Sequence, residues 1–232
     1  MPKPMRALIV VPENNTTMAP EMAALCPQLA PMAVARVKRP ARTLTHDDLP
    51  AYADATLAAV APFLAAPLDL VFYGCTAAGF LAGPDGNAAM VDKLRAATGA
   101  TVVSTAGAMA DVLHDAGVAS TAIVTPYLPP VNEGLRAYLA ASGIRVETLD
   151  SFLCATTAEL GRIGERQVHD LALRTVTPAS EALFIACSQL PTLGILDDLR
   201  ARLRIPVWAS IAATAWAGAR AVAAERATAA VA

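Results

Sequence analysis

The sequence predicts an α/β protein built from two similar subdomains, each with a parallel β-sheet covered by helices. Short apolar segments rich in β-branched and aromatic residues alternate with longer Ala- and Leu-rich segments, which is typical of parallel sheets in α/β folds. Two motifs also recur at nearly the same offset, about half the length of the 232-residue chain. Hydrophobic residues make up 55% of the chain and charged residues 16%, which favours a substantial buried core.

Eight segments have the length and composition of strands, and seven longer segments have those of helices. The predicted strands are Ala7–Val11, Met32–Val37, Leu68–Tyr73, Thr101–Ser104, Ser120–Val124, Arg145–Leu149, Ala182–Ala186 and Pro206–Ala209. The predicted helices are Ala51–Ala66, Asn87–Thr98, Ala106–Ala116, Asn132–Ser142, Glu159–Thr175, Leu193–Arg204 and Ile211–Ala230. Gly117 and Gly143 each follow a predicted helix and precede a strand, a position that glycine favours because it ends helices.

The most informative repeat is an apolar run that ends at a cysteine followed by a small hydroxyl residue. It reads FYGCT around Cys75 and FIACS around Cys187, and the two cysteines lie 112 residues apart. A second echo has almost the same offset: LIVVP at Leu8–Pro12 and AIVTP at Ala122–Pro126. Each half of the chain therefore carries one copy of the same unit.

This repeat predicts the domain organisation. We expect an N-terminal subdomain at residues 1–104 with 210–232 and a C-terminal subdomain at 105–209, related by a pseudo-twofold axis. Cys75 belongs to the first and Cys187 to the second. Both would follow the carboxyl ends of parallel strands, where open α/β sheets bind ligands. The active site is therefore predicted in the cleft between the subdomains.

The charge pattern gives no sign of a nucleic-acid or membrane partner. The chain has 18 basic and 20 acidic residues, for a formal net charge of −2. The basic run Arg36–Arg39 with Arg42 is typical of a solvated strand end or loop. Ile205–Ala219 lacks charged residues, but it contains Pro206 and is too short to span a bilayer. Since the chain begins without a signal-peptide pattern, we predict a cytoplasmic protein, with a homodimer as the default oligomer.

No motif indicates a metal ion or an organic cofactor. Four cysteines do not make a disulfide framework in a chain of this size. His46, His114 and His169 lie in polar or helical surroundings, away from both cysteine motifs. Metal-ligand spacing and a Gly-rich phosphate loop are both missing from the sequence. We therefore predict chemistry without a cofactor.

Cys75 and Cys187 are the leading candidates for chemistry. Cys75 precedes a segment predicted to enter a helix, where unpaired backbone N–H groups and the helix dipole favour a thiolate. A free cysteine is often only a small buried hydrophobe. The same motif in both halves favours a functional pair. Cys26 and Cys154 lack this context and are predicted to be structural.

Polar side chains follow the first strand of each half. Asn14 and Asn15, with two threonines after them, would hydrogen-bond a carboxylate in the cleft, or would form a helix cap or an Asx-turn. Tyr127 occupies the matching loop of the second half. Its phenol would donate to a carboxylate, or its ring would cover the core with the hydroxyl in water. Asn132 fits the N-cap of the next helix.

Four segments, in this order along the chain, resemble bacterial maleate cis–trans isomerases of the Asp/Glu racemase superfamily. They are Val11–Met18, Tyr73–Thr76, Thr125–Tyr127 and Ala186–Pro191. The superfamily also contains cofactor-independent racemases and arylmalonate decarboxylases. The decarboxylases resemble this chain in the second cysteine loop but lack the first cysteine, so the presence of both favours an isomerase or a racemase.

The resemblance implies roles for particular residues. Cys75 and Cys187 correspond to the catalytic cysteines of the isomerases. The implied substrate-binding residues are Asn14, Asn15, Thr76, Tyr127, Thr157 and Ser188. Thr157 is a departure, because the isomerases carry an Asp-Asn pair where this chain has two threonines. If the missing asparagine binds a substrate carboxylate, the substrate of this chain could differ from maleate.

The leading hypothesis is isomerisation of maleate to fumarate, with a small dicarboxylate as the partner of the site. A Cys75 thiolate would add to the alkene, and a Cys187 thiol would protonate the neighbouring carbon and later take the proton back. The alternatives are a two-cysteine racemase of an amino acid or related carboxylate and a decarboxylase of the same superfamily. A non-catalytic binding protein of this fold is an alternative of another class. A Cys–His hydrolase is disfavoured because no histidine lies in a matching loop.

Overall fold

Two parallel sheets form the framework of the protein, in a computed structural model that describes residues 5–231 and the side chains of residues 5–224. The strands are β1 (Ala7–Pro12), β2 (Ala33–Val37), β3 (Leu70–Tyr73), β4 (Thr101–Ser104), β5 (Ser120–Thr125), β6 (Arg145–Ser151), β7 (Leu183–Ile185) and β8 (Val207–Ala209). Within this range the sheet orders are β2-β1-β3-β4 and β6-β5-β7-β8, with every pair parallel. The two orders are equivalent strand by strand, which confirms the predicted α/β class with two similar sheets.

Helices cover both sheets. They are α1 (Met18–Leu25), α2 (Leu49–Val60), α3 (Thr76–Leu81), α4 (Gly83–Thr98), α5 (Thr105–Asp115), α6 (Pro129–Ala141), α7 (Thr157–Leu160), α8 (Glu165–Thr175), α9 (Leu196–Leu203) and α10 (Ser210–Val231). In the described part of the chain, none of them is long and apolar enough to cross a membrane.

The central strands explain the apolar runs of the sequence. Every residue of β1 and of β5 is buried, because each of these strands has a neighbour on both sides and helices on both faces. After β8 the chain returns to the first sheet, where Ile211 of α10 packs in one cluster with Ile9 and Phe72. Gly218 permits this approach, since a Cβ there would lie 2.5 Å from the nearest atom of the Phe72 ring. Because α10 also packs against α5, the domain boundaries at residues 104/105 and 209/210 stay a prediction.

Each predicted strand has a counterpart in the structure, with ends that shift by up to two residues. The predicted helix Glu159–Thr175 is wrong as one element, because the backbone of Gly164 is extended and separates α7 from α8. Helix α1 was not predicted as a separate element, and α3 was expected after Cys75 but without bounds. Gly117 and Gly143 adopt φ values of +67° and +77°, so both end helices in the left-handed conformation expected of glycine.

Candidate active site

The two cysteines line one small cavity at the carboxyl ends of the sheets. Cys75 lies two residues after the end of β3, and Cys187 lies two residues after the end of β7, the equivalent strand of the second sheet. The cavity has a volume of about 30 Å³. Its lining comes from both sheets: Pro12, Asn14, Asn15, Arg39, Thr43, Leu44, Cys75, Thr76, Ala77, Tyr127, Leu160, Cys187, Ser188 and Gln189. The ends of two equivalent strands, β3 and β7, therefore place in one cavity two thiols that are distant in sequence.

Cys75 lies between β3 and the first turn of α3. Its backbone is extended and precedes the helix as the N-cap, while Gly74 before it donates its N–H to the Val10 carbonyl at 2.8 Å. A Cβ on Gly74 would lie 2.8 Å from Val11 Cγ1 and would also meet the Met18 sulfur. Glycine is therefore required next to Cys75, because β1 and α1 press against this turn.

Two buried tyrosines, Tyr52 and Tyr73, lie near Cys75 but outside the cavity lining. Burial raises the pKa of Tyr52 well above its ordinary value, and the nearby Cys75 raises it further. The same two causes raise the pKa of Tyr73. Both phenols are therefore protonated beside the thiol at neutral pH.

Cys187 has a different environment. Burial raises the pKa of the Cys187 thiol above its usual range, although hydrogen bonds from the Tyr127 hydroxyl and from backbone N–H groups oppose the shift. The Gln189 N–H lies 3.4 Å from the Cys187 sulfur. Burial also raises the pKa of Tyr127 well above its ordinary value, and Cys187 adds to that shift. At neutral pH this cysteine is therefore a thiol, with a protonated phenol next to it.

Tyr127 is held rigidly in the loop after β5. Its ring packs edge-on against Phe80, with centroids 5.5 Å apart and planes inclined by 66°. Asn132 does not act as the predicted N-cap, because α6 begins three residues earlier at Pro129. Instead Asn132 Nδ2 donates to the Tyr127 carbonyl at 3.0 Å, and its Oδ1 accepts from Thr125. This amide fixes the loop that presents the phenol to Cys187.

Asn15 joins the two halves of the site. Its Oδ1 accepts the N–H groups of Thr17 at 3.1 Å and Met18 at 2.9 Å, as in an Asx-turn that leads into α1, whose N-cap is Thr17. Its Nδ2 donates to the carbonyl and to the hydroxyl of Ser188, both at 3.1 Å. In this structure, the Asn15 amide therefore holds the Cys187 loop, and its substrate-binding role stays a prediction.

Gln189 adds a second set of contacts across the cleft. Its Oε1 accepts from Thr16 N at 3.0 Å, and its Nε2 donates to Thr16 Oγ1 at 3.2 Å. Thr17 Oγ1 donates to the Gln189 carbonyl at 2.9 Å. The threonines after Asn15 therefore bind the second cysteine loop, and they do not line the cavity.

The basic run after β2 is not a simple solvated loop. Arg36 donates to the carbonyls of Glu13 at 3.1 Å and Asn15 at 2.9 Å, so it holds the loop after β1. Arg42 binds both oxygens of Asp48, at 2.6 and 2.7 Å. Arg39 lines the cavity with the cysteines, and its buried Nε has no hydrogen-bond partner among the described residues. The sequence expectation was therefore wrong for Arg39.

Thr157 is placed away from the cavity lining. It is the first residue of α7, and its N–H donates to the Ala41 carbonyl at 2.9 Å. Thr156 caps this helix together with Glu159, and the resulting turn brings Leu160 to the cavity. A second hydrogen bond joins the segment before α7 to the loop after β2, since Thr43 N donates to the Ala155 carbonyl at 3.2 Å. Thr157 is therefore not among the residues that line the cavity in this structure, and its predicted contact with a substrate stays a prediction.

The remaining cysteines and the histidines lie away from the cavity lining. Cys26 is buried and contacts the Ala215 carbonyl. Burial, with Glu159 and Cys187, raises the pKa of Cys154 to about 11. His169 contacts Asp198 at 2.7 Å. Over the described residues, no group of three or more His, Cys, Asp or Glu side chains is arranged to hold a metal ion.

The fold and the paired thiols define an α/β protein whose site is a cleft between two equivalent parallel sheets. Comparison with known protein families identifies the family, because the family described as arylmalonate decarboxylase matches residues 7–232. The chain belongs to the arylmalonate decarboxylase family. A maleate isomerase of Nocardia farcinica (strain IFM 10152) is 29% identical over 218 residues, which cover 90% of this chain and 86% of that protein.

Two solved structures share the fold over nearly the whole chain. One is a Nocardia farcinica maleate cis-trans isomerase, in a cysteine-to-serine variant with a covalently bound succinylcysteine intermediate. It is 25% identical with a TM-score of 0.85, and the match covers 94% of this chain and 92% of that chain. The other is an arylmalonate decarboxylase variant in which a glycine is replaced by cysteine, in a sulfate-associated form. It is 26% identical with a TM-score of 0.78, covering 94% of this chain and 93% of that chain.

Proposed function

We propose that this protein isomerises a small cis-unsaturated dicarboxylate, with maleate to fumarate as the leading reaction. The observation that carries the proposal is the cavity lined by both Cys75 and Cys187, one from each sheet. Rotation about a carbon–carbon double bond is blocked while its π bond is intact. Addition of a thiolate to one alkene carbon turns that bond into a single bond, and a soft sulfur nucleophile suits this step.

The steps balance with the two sulfurs alone. Cys75, as thiolate, forms a C–S bond to one alkene carbon, and the π electrons move to the other carbon and its carboxylate. The Cys187 thiol gives its proton to that carbon and becomes a thiolate. After rotation about the new single bond, the Cys187 thiolate takes back a proton from that carbon. The C–S bond then breaks, the trans double bond forms, and both cysteines return to their starting states.

The environment of Cys187 supports its part in these steps. A proton donor must hold its proton at the working pH, and burial raises the pKa of this thiol. When the proton leaves, the Tyr127 hydroxyl and the Gln189 N–H remain as donors to the new thiolate. These hydrogen bonds limit the cost of forming a buried anion. Cys187 is therefore suited to give and recover one proton.

The size of the cavity supports a small substrate. About 30 Å³ is room for only two or three water molecules. A four-carbon diacid needs less movement of the surrounding loops than an aryl-substituted malonate does. The decarboxylases of the family also resemble this chain without the first cysteine. Both points favour isomerisation over decarboxylation.

The substrate carboxylates would be bound mainly by the cysteine loops. We assign the backbone N–H groups of Thr76 and Ser188 to one carboxylate and to the negative charge that develops on it. The Tyr127 hydroxyl has one proton, which it donates to Cys187, so its predicted contact with a carboxylate is not part of this assignment. Asn14 and Asn15 remain candidates at the other side of the cavity. The role first inferred for Thr157 is the weakest of these assignments, because that residue does not line the cavity.

The test is turnover of maleate, followed as fumarate by proton NMR. We expect fumarate from the wild type and from Cys26→Ala, a control at a buried cysteine beside Ala215. We expect none above background from Cys75→Ala or Cys187→Ala. Activity that survives either of the last two substitutions would refute the two-cysteine mechanism. Lack of fumarate from the wild type would refute maleate as substrate.

A racemase is the second candidate, because two thiols that line one cavity can also serve opposite faces of a Cα. One would remove the Cα proton and the other would return a proton. Incubation of the protein with candidate amino acids in deuterium oxide tests the racemase hypothesis. Deuterium at Cα of recovered substrate, dependent on both cysteines, would support a racemase, whereas an isomerase leaves these substrates unlabelled.

We also keep the predictions of a cytoplasmic location and a homodimer as parts of the proposal. Cell fractionation tests the first. Light scattering coupled to size-exclusion chromatography tests the second, with a mass of twice 23.9 kDa expected.

A further inference from the structure

The cavity lining includes a positively charged side chain, Arg39, to which the proposed reaction steps assign no role. Arg39 reaches the cavity from the loop after β2, and its buried Nε–H has no hydrogen-bond partner among the described residues. The guanidinium also makes no ion pair with the carboxylates of the described chain, and its Nη2 is bound to the Arg42 carbonyl at 3.1 Å. A buried donor without a partner is uncommon in folded proteins and needs an explanation.

A second unpaired polar atom belongs to another residue of the cavity lining. Asn14 Oδ1 is buried and has no hydrogen-bond partner among the described residues. A half-turn of the Asn14 amide would exchange the positions of Oδ1 and Nδ2 and would bring Nδ2 to a ligand. This rotation breaks no hydrogen bond of Oδ1, because Oδ1 makes none with the described residues. Two neighbouring loops, after β1 and after β2, therefore each contribute to the cavity lining a side chain with one unpaired polar atom.

The charge of Arg39 also acts on the site from a central place. It lowers the pKa of both Tyr127 and Tyr52 against the larger effect of burial, so its field reaches the phenols beside both cysteines. By contrast, the Asn15 amide is occupied, because its two donors bind Ser188. Arg39 thus brings a positive charge to the cavity lining, and its Nε–H has no partner among the described residues.

We propose that Arg39, assisted by Asn14, binds the second carboxylate of the substrate and makes the site selective for diacids over monoacids. The inference rests on the proposed function, since it assumes that the cavity between the cysteines is the substrate site. It assigns to the loops after β1 and β2 the carboxylate contact that Thr157 does not provide here. Arginine suits this role because it keeps its charge when buried and offers a planar donor group that matches a carboxylate.

Binding of unreactive acids tests the proposal separately from turnover. Succinate and butyrate have the same carbon number and differ in one carboxylate, and isothermal titration calorimetry gives Kd for each. We expect the wild type to bind succinate about 10- to 100-fold more tightly than butyrate, the range that hydrogen bonds to charged groups supply. Arg39→Met should lose most of this preference, and Arg39→Lys should keep part of it.

Lys38→Met is the matched control, because Lys38 is exposed and adjacent in the same loop. It should keep the wild-type preference, and thermal melting of each variant checks that it is folded. The proposal is overturned if Arg39→Met and Arg39→Lys both keep the preference, if the wild type shows none, or if the wild type binds neither acid. Succinate selectivity without fumarate production would instead overturn only the isomerase activity.

Discussion

The hydroxyl of Ser188 donates to the carbonyl of Gly74 at 2.5 Å, so the residue after one catalytic candidate is bound to the residue before the other. Asn15 donates to the same hydroxyl from the loop after β1. Three of the loops that line the cavity therefore meet at one buried side chain. Small relative movements of the two sheets would disturb this contact first, and the distance between the thiols with it.

Ser188→Ala should weaken both the fold and the chemistry. The substitution leaves the Gly74 carbonyl and one Asn15 donor unpaired in a buried site, so we expect a loss of about 1–3 kcal/mol in the free energy of unfolding. Urea denaturation measures it, and the fumarate assay should show a reduced kcat. Ser142→Ala removes a more accessible hydroxyl bound to the Tyr138 carbonyl and should cost less than about 1 kcal/mol. Equal losses in the two variants would contradict this account.

Tyr127→Phe should raise the pKa of Cys187. The phenol donates to the sulfur and so favours the thiolate, and its loss leaves burial less opposed. Alkylation of Cys187 by iodoacetamide, measured by peptide mass spectrometry across pH, should show its midpoint at higher pH in the variant. Tyr138→Phe, which changes a buried tyrosine outside the cavity lining, is the control and should leave the midpoint unchanged. A midpoint that stays the same or falls in Tyr127→Phe would show that the phenol does not stabilise the thiolate.

The carboxyl group of Glu21 should make the contact between the halves depend on pH. Glu21 Oε1 accepts from Thr192 N at 2.8 Å, and burial is the main cause that raises its pKa above 4.5. For a group whose pKa is raised by folding, the stabilising contribution is complete below the unfolded pKa and declines as pH rises through the folded pKa. Glu21→Gln should therefore gain stability relative to the wild type as pH increases from about 4 to 8.

Urea denaturation at several pH values measures this difference in unfolding free energy between Glu21→Gln and the wild type. Glu133→Gln is an exposed control on α6, and its difference from the wild type should vary much less. A Glu21→Gln difference that is constant with pH, or that decreases with rising pH, would contradict the assigned direction.

Much of the framework could be predicted because burial of whole strands leaves a clear pattern. β1 and β5 are buried at every residue; β1 is a continuous apolar run in the sequence, and β5 has the apolar centre Ala122–Val124. Helix ends were less predictable, since the break between α7 and α8 depends on the extended backbone of Gly164. Short helices such as α3 have too few residues for a periodic pattern.

The site was predictable where residues follow strands and repeat, as Cys75 and Cys187 do. Arg39 was missed because a run of basic residues is usually solvated, although it also follows a strand, β2, at the same edge of the sheet. That position was the available signal. The occupation of Asn15 by Ser188 could not be foreseen, because a contact between residues 173 positions apart depends on how the two halves pack.

The central claim is that Cys75 forms a bond to the substrate while Cys187 handles the proton. Its most direct test is mass spectrometry of Cys187→Ser after incubation with maleate, followed by acid quenching and peptide mapping. The account predicts a mass increase of one maleic acid on the peptide that contains Cys75, and no adduct in the double variant that also carries Cys75→Ser. An adduct on another residue, or a wild type that produces fumarate while its Cys75→Ser variant does so at the same rate, would contradict it.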